Sequence, residues 1–284
     1  MTDIAPYDRR SAPANVLINI GTVVIGLVWL VPFLWMLSTA LKTKPEIFQF
    51  PPQWLPKSLY LDNFIAAFEA APFGTYYLNS FIVALVTTVV TVLVASMAGY
   101  AMARLPYRGR NVVIAGMLST TMVPFQVLLI PFFITMTALH LVNTLPGLIL
   151  AYLAIFLPFA VFMFRAYFLD LPREIEESAR IDGCSWFGVY WRIAMPVARP
   201  AIAAVGIYTF IESWNEFFIA LIMTSTDNMH TLPVGLALFM NQSAGIDWGQ
   251  LMASSVAASV PAIAVFMIMQ RQIIAGLTGG AVKG

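Results

Sequence analysis

Apolar residues in this chain fall in long unbroken runs separated by short polar stretches. That pattern predicts helices crossing a membrane rather than the one-sided 3.6-residue stripe of a soluble surface helix. Six runs are long enough: Val16 to about Leu41, Leu78–Met102, Val112–Met136, Leu145–Phe168, Ala201–Thr224 and Leu251–Met269. At 1.5 Å per residue the first covers roughly 37 Å, enough to cross a hydrocarbon core of about 30 Å with some tilt. It is too long for the apolar region of a cleaved secretory signal. The β-branched stretch Ile82–Val94 lacks the alternation of a strand, so the expected fold is all-α, a polytopic membrane protein with six transmembrane helices. Pro124, Pro131 and Pro158 fall inside expected spans, and each is expected to kink its helix.

The polar stretches set the orientation. Arg9, Arg10, Arg104, Arg108, Arg110, Arg165, Arg173, Arg180, Arg192, Arg199, Arg271 and Lys283 lie on one side of the expected spans, against Lys42, Lys44 and Lys57 on the other. Twelve against three places the richer side, and both termini, in the cytoplasm. The expected organisation is then a cytoplasmic N-terminus over 1–15, a transmembrane domain over 16–275, and a cytoplasmic tail over 276–284. External loops are expected over 42–76 and 225–250, and a polar cytoplasmic loop over 170–199, between the fourth and fifth spans. Within the first external loop, Phe64, Ile65, Phe68 and Ala71 have helical spacing and are expected to lie along the outer membrane interface.

Of 284 residues, 60% are hydrophobic and only 10% charged, against about 25% charged in soluble proteins, so the chain is integral to a membrane. A net charge of +1 gives no reason to expect a nucleic-acid partner. Cys184 is the only cysteine, which excludes an internal disulfide. The sequence has no phosphate-binding G-x-x-x-x-G-K-[ST], no G-x-G-x-x-G, no C-x-x-C and no H-E-x-x-H. It is therefore expected to be no enzyme, to hold no metal or cofactor of its own, and not to hydrolyse ATP by the P-loop route. His140 and His230 stand apart from other metal-binding residues and are expected to be solvated or capping.

Pro172 to Pro196 is the most charged run, with three arginines and four acids. Pro172 suits a first helical turn, and Glu174, Glu176 and Glu177 place negative charge at the positive end of the helix dipole. Gly183 can take the positive φ that stops this helix, and Ser185 can cap a second short helix carrying Trp186, Phe187, Tyr190, Trp191 and Ile193, which Pro196 is expected to end. Glu177-Ser178-Ala179, then Gly183 after three residues, Ile193 after nine more and Met195-Pro196 reproduce the spacing of the E-A-A signature. By that signature the chain resembles the membrane subunits of binding-protein-dependent ABC importers, with Ser178 and Met195 as its two departures from the pattern.

The resemblance implies a six-span permease subunit in a prokaryotic cytoplasmic (inner) membrane, paired with a second, distinct permease subunit. It also implies two ATP-binding subunits that carry ATP and Mg, and an extracytoplasmic solute-binding protein. It assigns the polar loop to coupling with the ATPase: Glu177 for a charge-assisted pair, Gly183 for the turn, Ile175, Ala179 and Ile181 for apolar seating. Ser178, Asp182, Ile193 and Pro196 complete that segment. S-W-N-E-F in the fifth span and L-V-N-T at Leu141–Thr144 resemble the carbohydrate branch of the family, and Gly276–Gly284 resembles the tail of the second membrane subunit of maltose permeases. A sugar cargo is implied, with Gly279, Gly280 and Lys283 reaching the ATPases and the segment holding Gly235, Asn241 and Gly245 contacting the binding protein.

Glu212 and Glu216 are four residues apart on one face of the expected fifth span. Each costs about 2.5–3.5 kcal/mol at mid-membrane on insertion scales, so something must face them. Two readings stay open: a translocation path in which Trp214 stacks on a sugar and Asn215 and the carboxylates bind hydroxyls, or a contact with a partner subunit. An ion-coupled secondary transporter using Glu212 and Glu216 is the alternative function, although no internal repeat accompanies it.

Overall fold

The computed structural model describes residues 12–242 and 246–281. In chain order the elements are α1 (Ala12–Ala40), α2 (Lys44–Ile47), α3 (Asp62–Ala70), α4 (Phe73–Arg104), α5 (Arg110–Met122), α6 (Phe125–Ala138) and α7 (Leu145–Asp170). There follow α8 (Glu174–Ile181), α9 (Trp186–Val189), a π-helical turn (Tyr190–Ala194), α10 (Met195–Val197), α11 (Arg199–Asn215), α12 (Phe218–Met223), α13 (Leu232–Gln242) and α14 (Trp248–Ala281). The stretches Ile18–Ala40, Phe73–Arg104, Leu145–Asp170 and Trp248–Ile268 are each long and apolar enough to cross a membrane. Counting two bent helix pairs as one span apiece raises the four candidates to six. The chain is thus an all-α, multi-pass membrane protein.

Several boundaries differ from those expected. The third expected span, Val112–Met136, is two helices, α5 and the rest of α6 from Val127, which diverge by 105°. Proline disfavours the helical region for the residue before it, and Val123, preceding Pro124, is extended at φ −88°, ψ 118°. The fifth, Ala201–Thr224, breaks after Asn215. Much of the expected 225–250 loop is helix α13. The expected tail begins inside α14, because each further residue added to a formed helix closes another hydrogen bond.

The packing divides the chain into two compact units, Met1–Glu69 with Ser243–Ala257, and Ala70–Gln242 with Ala258–Gly284. In the first, the apolar stretch of α1 is exposed all round, a surface suited to lipid. The proline-rich segment after it folds back. Ser38 donates to the Trp54 carbonyl, and the Asn63 amide donates to the carbonyls of Ala40 and Lys42, both at 2.8 Å. On α3, Asn63 and Ala67 are buried while Ile65 and Phe68 are exposed.

In the second unit α4 turns Ala84, Thr87, Thr91, Ala95, Gly99 and Ala103 inward at three- and four-residue spacing. A Cβ added to Gly99 would stand 2.7 Å from Phe164 Cβ and 2.9 Å from the Arg165 backbone nitrogen, so α4 and α7 meet nearly backbone to backbone. Small residues permit that approach where lipid supplies no hydrophobic drive between helices. Phe164, Phe168, Tyr190, Ala194, Ala198 and Val205 fill the core around it.

Candidate functional site

The charged run forms an elbow of two arms. The first arm, α8, ends as its composition requires. Gly183 sits at φ +85°, its N–H donates to Arg180 O at 3.1 Å, and the Cys184 N–H donates to Ala179 O at 3.0 Å, the paired bonds of a Schellman stop. Ser185 then caps α9 by accepting from the Gly188 N–H at 3.1 Å. The second arm continues through the π-helical turn to Val197, so Pro196 lies within it rather than ending it, and it meets α11 at 76°.

The elbow's two sides differ. Glu177, Ser178, Asp182 and Pro196 are exposed, Ile181 is 87% exposed and Ile175 48%, and Phe187, Trp186 and Trp191 join them. Ala179, expected to seat in a partner, instead turns inward and is buried, because it shares the α8 face of Glu176. Ile193 is half-buried, in a small crevice with Leu171, Ile175 and Val197. The residue that composition alone did not single out is Glu176. Arg104 Nε donates to both of its carboxylate oxygens at 3.0 Å, Tyr100 donates to it at 3.2 Å, and Arg104 Nη2 donates to Leu171 O at 2.9 Å. Both side chains are almost fully buried. On the second arm the Tyr190 hydroxyl is hydrogen-bonded to Ser96 at 2.8 Å.

The structure separates the two glutamates of the fifth expected span. Glu212 and Asn215 are exposed on α11. Glu216 leaves the helix and caps α12: its carboxylate accepts the N–H groups of Ile219 at 2.9 Å and Ala220 at 3.0 Å, and the Tyr152 hydroxyl at 2.8 Å. A carboxylate at a helix start answers both the unpaired N–H groups and the dipole. Trp214 is not open to a sugar, since it is 3% exposed, stacks on Phe210 and donates from Nε1 to Ala258 O at 3.1 Å.

L-V-N-T finds a structural role. The Asn143 side chain accepts the N–H groups of Ser225 at 2.9 Å and Thr226 at 3.2 Å, and Thr144 caps α7 through the Gly147 N–H. His140 takes φ 56° just past α6, the capping position usually left to glycine or asparagine. His230, expected to be solvated or capping, is buried, with Nδ1 2.9 Å from the Thr224 hydroxyl. Gly235 is packed against Tyr76, whose ring lies 2.1 Å from where a Cβ would stand, so it offers no surface to a binding protein. Asn241 and Gly279 and Gly280 lie on α13 and α14. The Asn241 side chain, Gly245 and Lys283 fall outside the described residues.

The profile of a family described as the binding-protein-dependent transport system inner membrane component matches residues 92–279, a stretch containing the whole elbow. Among known relatives, the chain is 36% identical over 255 residues to the sulfoquinovosyl glycerol transport system permease protein of Agrobacterium fabrum, spanning 90% of this chain and 89% of that one. It is 38% identical over 280 residues to an arabinooligosaccharides transport system permease protein of Halalkalibacterium halodurans, covering 97% and 99%. The trehalose/maltose transport system permease protein of Thermococcus litoralis is 32% identical over 279 residues, covering 97% and 99%. The fold matches a chain of a bacterial ABC transporter that imports alginate with a TM-score of 0.77 at 23% identity, over 94% of this chain and 99% of that one. None of these likenesses supports an ion-coupled carrier, and the capping role of Glu216 occupies a carboxylate that such a carrier would need free.

Proposed function

Because this chain belongs to the binding-protein-dependent transport system inner membrane component family, we propose that it is the permease subunit of an ATP-driven, binding-protein-dependent sugar importer. It is a non-catalytic subunit. The observation that carries the mechanism is the elbow's outer face, where Ile175, Ile181 and Phe187 are exposed beside Glu177. Exposed apolar residues ringed by charge mark a protein contact.

In this reading six spans cross a prokaryotic inner membrane, both termini and the elbow face the cytoplasm, and a second permease subunit completes the pathway. Two partner ATPases hold ATP and Mg, and a solute-binding protein delivers sugar from outside. Closure of the ATPases moves the elbow as a rigid body. Glu177 supplies a charge-assisted pair to an ATPase arginine, and Ile175 and Ile181 seat in an apolar cleft. Glu212 and Asn215, outward on α11, meet cargo or the second permease, and Gly279, Gly280 and Lys283 extend the ATPase contact.

Uptake of the binding protein's sugar into cells carrying the whole importer tests this. It survives a protonophore and stops on ATP depletion, and Glu177→Lys abolishes it in a complex that still assembles. Normal uptake and ATP hydrolysis in that variant would refute the role given to Glu177.

A further inference from the structure

The chain runs covalently from the elbow into α7 and α11, yet the elbow's buried side-chain bonds go to neither; the bond from the Tyr167 hydroxyl of α7 to Val197 O, at 2.9 Å, lies at the exposed edge. Those buried bonds link the elbow to α4, whose Arg104 also donates to Leu171 O at the end of α7. Ser96, Tyr100 and Arg104 stand four residues apart on one stripe of that helix, and they hold both arms: Tyr100 and Arg104 take Glu176 of the first, Ser96 takes Tyr190 of the second. Tyr100 also packs edge-on against Phe168 at 5.3 Å and, tilted, against Tyr190 at 5.4 Å, which leaves the stripe enclosed.

Apolar packing lets one helix slide on another, but a buried ion pair does not. With Arg104 and Glu176 side chains 3% and 7% exposed, moving α8 without α4 would leave two charges without partner or water. We propose that α4 is the helix the elbow drives, with Glu176 and Arg104 as the positioning residues of a rigid linkage and the Ser96–Tyr190 bond as its second point of attachment. This rests on the permease reading above. An elbow fixed to one helix at two points transmits rotation as well as translation, and α4 carries it through 32 continuous residues.

The test uses the complete importer in proteoliposomes, with sugar uptake and ATP hydrolysis measured together and assembly checked by co-purification. Glu176→Gln keeps the size of the side chain and removes its charge. The expected result is that uptake per ATP hydrolysed falls at least about fivefold, the lower end of ordinary coupling effects, while hydrolysis continues. Arg104→Lys, which keeps the charge, is expected to retain more of the ratio than Arg104→Gln. If Glu176→Gln does not assemble, Tyr100→Phe with Tyr190→Phe removes one bond from each arm without disturbing the ion pair and is expected to lower the same ratio. An unchanged ratio in assembled variants, or uptake and hydrolysis falling in parallel, would overturn the proposal. Failure of the permease reading itself would be seen separately, as a wild-type complex lacking any hydrolysis stimulated by the binding protein.

Discussion

At Gly183 the backbone takes φ +85° with nothing within 4 Å of where a Cβ would sit, so the position is restricted by conformation and not by space. Gly183→Val is expected to cost about 1–2 kcal/mol, read as a lower Tm of the purified protein, whereas a substitution barred by crowding would also disturb neighbours. This glycine and the Ser185 cap were legible from type and spacing. Glu176 was not: it adjoins Glu177 in an unbroken acidic run, and only the position of Arg104, 72 residues earlier, distinguishes the buried carboxylate from the exposed one. The burial of His230 is hidden in the sequence for the same reason, since it depends on the Thr224 hydroxyl lying against the ring. Burial holds its imidazole below the ordinary value, with Asp227 opposing. The unfolded chain therefore takes up the proton first, so this contribution to stability is present above about pH 6.5 and is lost as the pH falls through the lowered folded value. Tm measured between pH 8 and pH 5.5 is expected to decline on the acid side, and His230→Gln is expected to flatten that part of the slope.

The elements were legible where apolar length decides and illegible where a side chain breaks a run from within. Nothing in I-E-S-W-N-E-F-F announces that Glu216 will leave the helix. The gain comes from two backbone N–H groups and Tyr152, whose nearness depends on tertiary packing. Glu216→Ala is expected to destabilise by about 1–2 kcal/mol from the lost cap, and more because Tyr152 loses its carboxylate acceptor and keeps only the long bond to the backbone carbonyl of residue 216, measurable as a Tm shift in detergent. The stripe Ala84, Thr87, Thr91, Ala95, Gly99 and Ala103 is not legible in the sequence, because the apolar run of α4 continues on every face of the helix. Gly99→Leu forces α4 and α7 apart and is expected to cost at least about 1–3 kcal/mol. A chain that keeps its Tm with leucine there would show that the two backbones are not in contact. Arg104→Ala, leaving Glu176 buried and unpaired, is expected to cost about 3–5 kcal/mol.

For the whole molecule, the distribution of Lys and Arg predicts a side for each loop, and the single cysteine makes that prediction testable. Cys184 lies at the elbow's turn and is partly accessible. An impermeant maleimide is expected to label it in inside-out vesicles and spare it in right-side-out ones. The central claim is that the elbow's outer face is covered by a separate ATPase. Ile181, 87% exposed in this chain, reports on that face directly. In a Cys184→Ser background, maleimide modification of Ile181→Cys is predicted to slow at least tenfold, roughly 1.4 kcal/mol of protection, when the ATPase subunits are bound. Equal modification rates with and without the ATPases would contradict the account.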